Sequence, residues 1–228
     1  MSRNLIVFHI DGTLTDTKEK DDELFIRAVK EIFNIEIKDS DWSRFENVTD
    51  PGIAKSIYKE HFGKEPSDLE LTKLENHFID ITRNALSEYP QAFREVPGAK
   101  DFFQELSGTN NMYVAIATGG WEATAKMKLE YIDIDPEGFP MATAADHENR
   151  IELLKTAVAS AQKFYDISHF DRIIAIGDGD WDYKAAKALD AGFVGVDVRK
   201  SGKFKAYDIP LVIFDFNDNT TLLRYILS

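Results

Sequence analysis

Four oxygen-bearing side chains stand just beyond short apolar runs: Asp11 in Asp11-Gly12-Thr13, Thr118 before Gly119-Gly120, and Asp178 and Asp182 within Gly177-Asp178-Gly179-Asp180-Trp181-Asp182. Carboxylates gathered at one place repel one another unless a cation or protons intervene. A set of oxygen ligands favours a hard ion, and Mg²⁺ with retained waters is the natural choice. Such an ion, a threonine hydroxyl and glycine turns with exposed amides, Gly12 and Gly119 among them, make a receptacle for a phosphoryl group.

For these groups to meet, the runs before them must be neighbouring strands. Leu5 to Ile10, Met112 to Ala117 and Ile173 to Ile176 read as strands buried on both faces, and Phe193 to Val196 and Leu211 to Phe214 look similar. Helical patterns lie between them at Ala99 to Leu106, Glu122 to Tyr131, Ile151 to Phe164 and Tyr183 to Leu189. Strands alternating with helices predict an α/β protein with a Rossmann-like parallel sheet, and ligands bind such sheets at the carboxyl ends of the strands. The segment from about Thr17 to Tyr89 breaks the alternation. It shows helical periodicity at Asp22 to Phe33, Pro51 to Phe62 and Ser67 to Leu86, with Asp50 as the expected cap before Pro51. It is predicted to be an all-helical insertion (17–89) in a core built from 1–16 and 90–228.

The composition narrows the partners. Among 228 residues, 40 Asp and Glu face 27 Lys and Arg, a net charge of −13, with no run of basic residues to meet a phosphate backbone, so no nucleic acid is expected. No apolar stretch approaches the roughly 18 residues of a membrane span, so no membrane partner is expected either. The absence of cysteine excludes disulfides and a thiolate nucleophile and fits a cytoplasmic protein. The five histidines lack zinc spacing, and there is neither a P-loop nor a Gly-x-Ser-x-Gly elbow.

Phe8-His9-Ile10-Asp11-Gly12-Thr13-Leu14-Thr15-Asp16 resembles the first motif of the haloacid dehalogenase superfamily, the Asp-x-Asp-Gly-Thr phosphohydrolases. Ala115-Ile116-Ala117-Thr118-Gly119 is similar to its second motif and Gly177-Asp178-Gly179-Asp180-Trp181-Asp182 to its fourth, and the helical insertion sits where a C1-type cap belongs. The resemblance implies a phosphoglycolate phosphatase-like hydrolase that uses Mg²⁺ to cleave a small phosphorylated metabolite, as a monomer or homodimer. It also implies that Asp11 is the general acid/base, that Thr118 bonds the transferring phosphoryl group, and that Asp178 binds the metal with help from Asp182 and the first-motif residues His9 and Asp11. The basic third-motif residue is Arg150, with Lys155 as second choice. Arg44 and Phe45, in the insertion with Trp42, Asn47 and Thr49, are candidates for contacting the substrate's organic part.

The sequence departs from the family where it matters most. The family's nucleophilic aspartate aligns with His9. Imidazole is a poorer ligand for a hard cation and has a single free lone pair. The expected reaction is therefore impaired hydrolysis, with a non-catalytic phosphometabolite-binding protein and phosphoglucomutase-type transfer as alternatives.

Overall fold

The computed structural model describes residues 2–228. Its strands are β1 (Asn4–Phe8), β2 (Met112–Ala117), β3 (Met141–Ala142), β4 (Arg172–Gly177), β5 (Gly192–Val196) and β6 (Leu211–Ile213). They form one parallel sheet in the order β3-β2-β1-β4-β5-β6. The chain runs outward from β1 to β2 and β3, then crosses back to add β4 on the other side of β1. Phe8 pairs with both Ile116 and Ile176, so the residues following β1, β2 and β4 emerge at one level. That level is the ligand-binding edge of an open parallel sheet.

β1 is buried along its whole length because successive side chains point to opposite faces and both faces are covered. Ile6 and Phe8 pack with α4 (Ala99–Ser107), α5 (Glu122–Tyr131) and α8 (Thr220–Leu227). Leu5 and Val7 pack with α6 (Arg150–Phe164) and α7 (Asp180–Ala188). Phe8 meets the Phe103 ring edge-on at 5.2 Å between centroids. A buried aromatic of this kind contributes about 1.5–3 kcal/mol, which anchors the residue immediately before His9.

Between β1 and α4 lie α1 (Lys18–Phe33), α2 (Asp50–Phe62) and α3 (Asp68–Glu88), with 3-10 turns at Trp42–Arg44 and Pro90–Phe93. Ser67 and Glu70 form a reciprocal capping box that starts α3. The three helices share a cluster that includes Phe25, Ile57, Leu74 and Phe78. Trp121, from the loop after β2, enters it at 5.4 Å from Phe78 and 6.1 Å from Phe25. The helical layer is thus fastened to the sheet by an indole at the rim of the site. The segments leading into and out of this layer lie side by side, bridged at Thr15 and Glu95, with Asp16 held by Arg94 and Arg199.

Several boundaries differ from the sequence expectation. β1 ends at Phe8, not Ile10, because the Ile10 carbonyl turns to accept the amides of Thr13, Leu14 and Thr15. α1 begins at Lys18 and α7 at Asp180, earlier than their apolar periodicity starts, so their first turns carry polar residues into the site. Thr49, not Asp50, caps α2. β3 is only two residues long, too short for a period, and α8 went unread in the chain's last residues. No helix of the described residues is long and apolar enough to cross a membrane.

Candidate active site

The turn after β1 brings Asp11 and Gly12 against the tip of β4. Gly12 has φ +73° and a Cβ there would lie 2.7 Å from Asp178 Cγ, so both the backbone conformation and the close approach require glycine. Its amide donates to the Thr15 carbonyl at 2.7 Å. The expected phosphoryl contact from Gly12 is therefore corrected: closing the turn consumes that donor.

Asp11 accepts from the Thr17 hydroxyl at 2.5 Å and pairs with Lys128 Nζ at 2.7 Å. Lys128 lies on α5, is 2% exposed and also pairs with Asp21 of α1. Burial alone would raise the Asp11 pKa, but Lys128, His9 and the two hydrogen bonds hold it below the usual carboxylate value. Asp21 goes the other way, well above its ordinary value, through burial and the neighbouring Asp11 and Asp50 carboxylates, which outweigh Lys128. Lys128 thus favours the ionised form of both partly buried carboxylates, and at Asp21 burial and the neighbouring carboxylates oppose it.

At the tip of β4, Asp178 is 2% exposed and faces three cationic or imidazole groups. Lys18 Nζ lies 3.1 Å and Lys203 Nζ 3.4 Å from Oδ2, while His9 Nε2 is 3.9 Å from Oδ1. Burial opposes ionisation, yet Lys18, Lys203 and His9 pull the Asp178 pKa down to about 2. His9 Nδ1 lies 3.2 Å from the Ala117 carbonyl, which can only accept, so Nδ1 carries the proton and Nε2 is the nitrogen turned to Asp178. Asp182, in the first turn of α7, accepts Arg150 Nη2 at 2.7 Å on one oxygen and the Gly179 amide at 3.1 Å on the other.

The Thr118 hydroxyl accepts the Gly120 amide at 3.1 Å, leaving its own proton to donate. A Cβ at Gly119 would fall on the Arg150 guanidinium and 2.8 Å from the Val48 carbonyl, so the loop after β2 passes tightly between α6 and the helical layer. Arg150 opens α6 behind the Asn149 cap and reaches the site, whereas Lys155 is exposed and pairs with Glu152. Arg44 and Phe45 lie outside the cavity: Arg44 sits over the Phe45 ring at 4.0 Å and pairs with Glu60, because the 3-10 turn aims it at α2. Trp42 and Thr49 of the same stretch do line the cavity.

Relieved of capping α2, Asp50 donates its backbone amide to the Gly119 carbonyl at 2.8 Å and accepts the Trp121 amide on its side chain at 3.0 Å. Burial raises its pKa to about 7, with Asp11 adding to the shift and Lys128, the Trp121 amide and Arg150 opposing it. A carboxyl whose folded pKa lies above the unfolded value favours folding below the unfolded value, and that contribution is lost as pH rises through about 7. Asp50→Asn keeps an acceptor for Trp121 without the charge. Its melting temperature relative to wild type is expected to be higher at pH 8 than at pH 5 by at least ~2–4 °C, the effect of roughly 1 kcal/mol. A difference of zero or of opposite sign would refute the assignment.

These groups enclose a cavity of about 70 Å³ between the strand tips and the helical layer. That is room for roughly five waters, the size of a phosphoryl group with a short tail. Phe25, Trp42 and Trp181 supply apolar lining, Lys18, Arg150, Thr118 and Gly119 supply donors, and Asp11, Asp21, Asp22, Asp50 and Asp178 line it as well. His9, Asp178 and Asp182 offer one ligand atom each within 4.8 Å of one another. These donors do not fit Mg²⁺, which demands an octahedron of oxygens. One is an imidazole nitrogen, both Asp182 oxygens are bonded, and one Asp178 oxygen faces two ammonium groups.

Sequence reasoning did not single out Lys18, Asp21, Asp22, Lys128 or Lys203. Lys128 follows helical spacing in a segment that reads as solvated, and no local signal marks it as buried. The polar residues preceding the periodic part of α1 offered a hint, because a first turn following a strand tip faces the site.

The sequence profile of haloacid dehalogenase-like hydrolases matches residues 6–196. No curated protein sequence matches the chain. Among solved structures, a hydrolase from Pseudomonas syringae superposes with a TM-score of 0.76 at 21% identity, covering 100% of each chain. CbbY from Rhodobacter sphaeroides in complex with phosphate gives 0.70 at 14% identity over 96% of each. A mutant of CbbY in complex with xylulose-(1,5)bisphosphate gives 0.66, with the same identity and coverage. At these identities the likeness is one of fold, a parallel sheet with flanking helices. The profile, by contrast, spans more than half of the chain and covers every strand tip that builds the cavity, and the chain therefore belongs to the haloacid dehalogenase-like hydrolases.

Proposed function

We propose that the chain takes a small phosphate monoester into this cavity, with α1–α3 acting as a cap over it, and that its hydrolysis of that ester is impaired by His9. The observation that carries the reading is that the Arg150 guanidinium, the Lys18 ammonium and the Thr118 hydroxyl line one cavity with Asp11. Charge-assisted donors of this kind select a phosphoryl group over neutral esters. The phosphate and sugar-bisphosphate bound by CbbY support the same ligand class. The Phe25, Trp42 and Trp181 wall would receive the carbon skeleton, and the small volume favours a short one. Asp11, ionised beside Lys128, is set to accept a proton. The weak point is His9. Its Nδ1 is engaged by Ala117 and its Nε2 faces a carboxylate, so it lacks the two free oxygens of the aspartate that the family places there. The same observation favours a second reading, a binding protein that retains the ester.

Thermal shift with a panel of phosphate monoesters tests the reading. A bound ester at about 100 times its Kd stabilises the fold by about 2.7 kcal/mol, and Arg150→Ala is expected to abolish the shift. Stabilisation by carboxylic acids of equal size but by no phosphate ester would refute it.

A further inference from the structure

We propose that the cavity binds the phosphoryl group without a divalent cation, Lys18 and Lys203 supplying at Asp178 the positive charge that a metal ion would bring. This rests on the phosphate-ester reading above. The local charges point to it. The carboxylates of Asp178 and Asp182 are met by three fixed cations, Lys18 at 3.1 Å, Lys203 at 3.4 Å and Arg150 at 2.7 Å, and position 9 adds no carboxylate. Three cations thus face these two carboxylates, in a cavity that Asp11, Asp22 and Asp50 also line, and a divalent ion would have to displace ammonium groups from a buried carboxylate. Mg²⁺ also sheds its waters reluctantly and would find a nitrogen at one of its oxygen positions.

Local structure holds both lysines in place. Lys18 follows Thr17, whose hydroxyl bonds both Asp11 at 2.5 Å and Thr15 at 2.7 Å, and its ammonium lies 4.8 Å from the centre of the Trp181 ring. Arg150 flanks the same indole at 6.0 Å, so Trp181 separates two cations that both line the cavity. Lys203 is aimed by a loop folded around Asp197. That buried carboxylate accepts the Ser201 amide at 3.0 Å and the Gly202 amide at 2.8 Å, delivering the next residue to Asp178.

Calorimetric titration of the full chain with inorganic phosphate, in EDTA and in millimolar Mg²⁺, tests the proposal. The Kd is expected to agree within about twofold between the two conditions, and Lys18→Gln is expected to weaken binding in EDTA by about tenfold or more, as for loss of a charged hydrogen bond. Lys203→Gln is expected to weaken it less, because Lys203 reaches Asp178 from outside the cavity lining. Both lysines are partly exposed, and an unchanged thermal transition establishes that each variant is folded. Binding that requires Mg²⁺, or that is indifferent to Lys18→Gln, overturns the metal-free proposal and leaves the phosphate-ester reading standing. Absence of binding by phosphate and by phosphate esters in either condition overturns both.

Discussion

His9→Asp is expected to raise turnover of p-nitrophenyl phosphate by roughly two orders of magnitude or more, and to make that turnover responsive to Mg²⁺. The substitution places a carboxylate oxygen just beyond β1, two residues before Asp11, which Lys128 holds ionised. It also changes the charge at the Asp178 tip. Three carboxylates would then face the three cations that now meet two, and the donor set would become oxygen only, the set that a hard cation prefers. Steady-state kinetics of both proteins, each with and without Mg²⁺, give a four-way comparison. Turnover confined to the aspartate variant with metal supports an active hydrolase scaffold disabled at one position. Equal inertness of both proteins, with phosphate esters still bound, would assign the chain to binding and remove hydrolysis from its proposed function. A phosphorylated imidazole trapped on His9 of the unaltered protein would contradict the impairment outright.

The second large effect concerns Lys128. A lysine 2% exposed between Asp11 and Asp21 leaves two partly buried carboxylates uncompensated when it is removed. Lys128→Met, which keeps the volume, is expected to cost about 3–5 kcal/mol, or roughly 10 °C in Tm. A solvated helical lysine would cost no more than about 1 kcal/mol, so the measurement separates the two cases cleanly. Adding Asp21→Asn to Lys128→Met is expected to recover part of the loss, because one of the stranded carboxylates is then neutral, and the double-mutant cycle isolates that coupling. The pH dependence follows from Asp11. Its folded pKa is lowered, chiefly by Lys128 acting against burial, so the stability it contributes is present above the unfolded value and lost as pH falls through the folded one. The gap between wild type and Lys128→Met should therefore narrow on acidification below pH ~4. A gap that widened instead would contradict the ion-pair account.

Much of the frame is legible in the sequence. The apolar runs of β1, β2 and β4 are buried on both faces, so they read as continuous hydrophobic strands, and the polar residue after each had to sit at the carboxyl edge. The resemblance added roles, and Arg150 rather than Lys155 as the cation that reaches the site. Errors fell where local pattern and tertiary demand diverge. Arg44 has the right chemistry for an anion but its turn points it at Glu60, and Gly12 has an amide that its own turn consumes. Asp50 looked like a helix cap because its neighbour is proline, yet Thr49 takes that duty and Asp50 turns to the loop after β2.

The sequence by itself determined the acidic line of this site: Asp11, Asp178 and Asp182 each follow a strand or open a helix, and His9 stands two residues before Asp11. These are short-range facts, set by alternation, by turn chemistry and by a motif a few residues long. Which cations answer those acids was decided only in three dimensions. Lys128 meets Asp11 across 117 residues and Lys18 meets Asp178 across 160, pairings created by crossovers and by the helical layer folding back over the sheet. A lysine on a helix reads as solvated surface in any local window. Pairing with a carboxylate distant in sequence is what gives these lysines a role, and it sets cations against the acids at the strand tips.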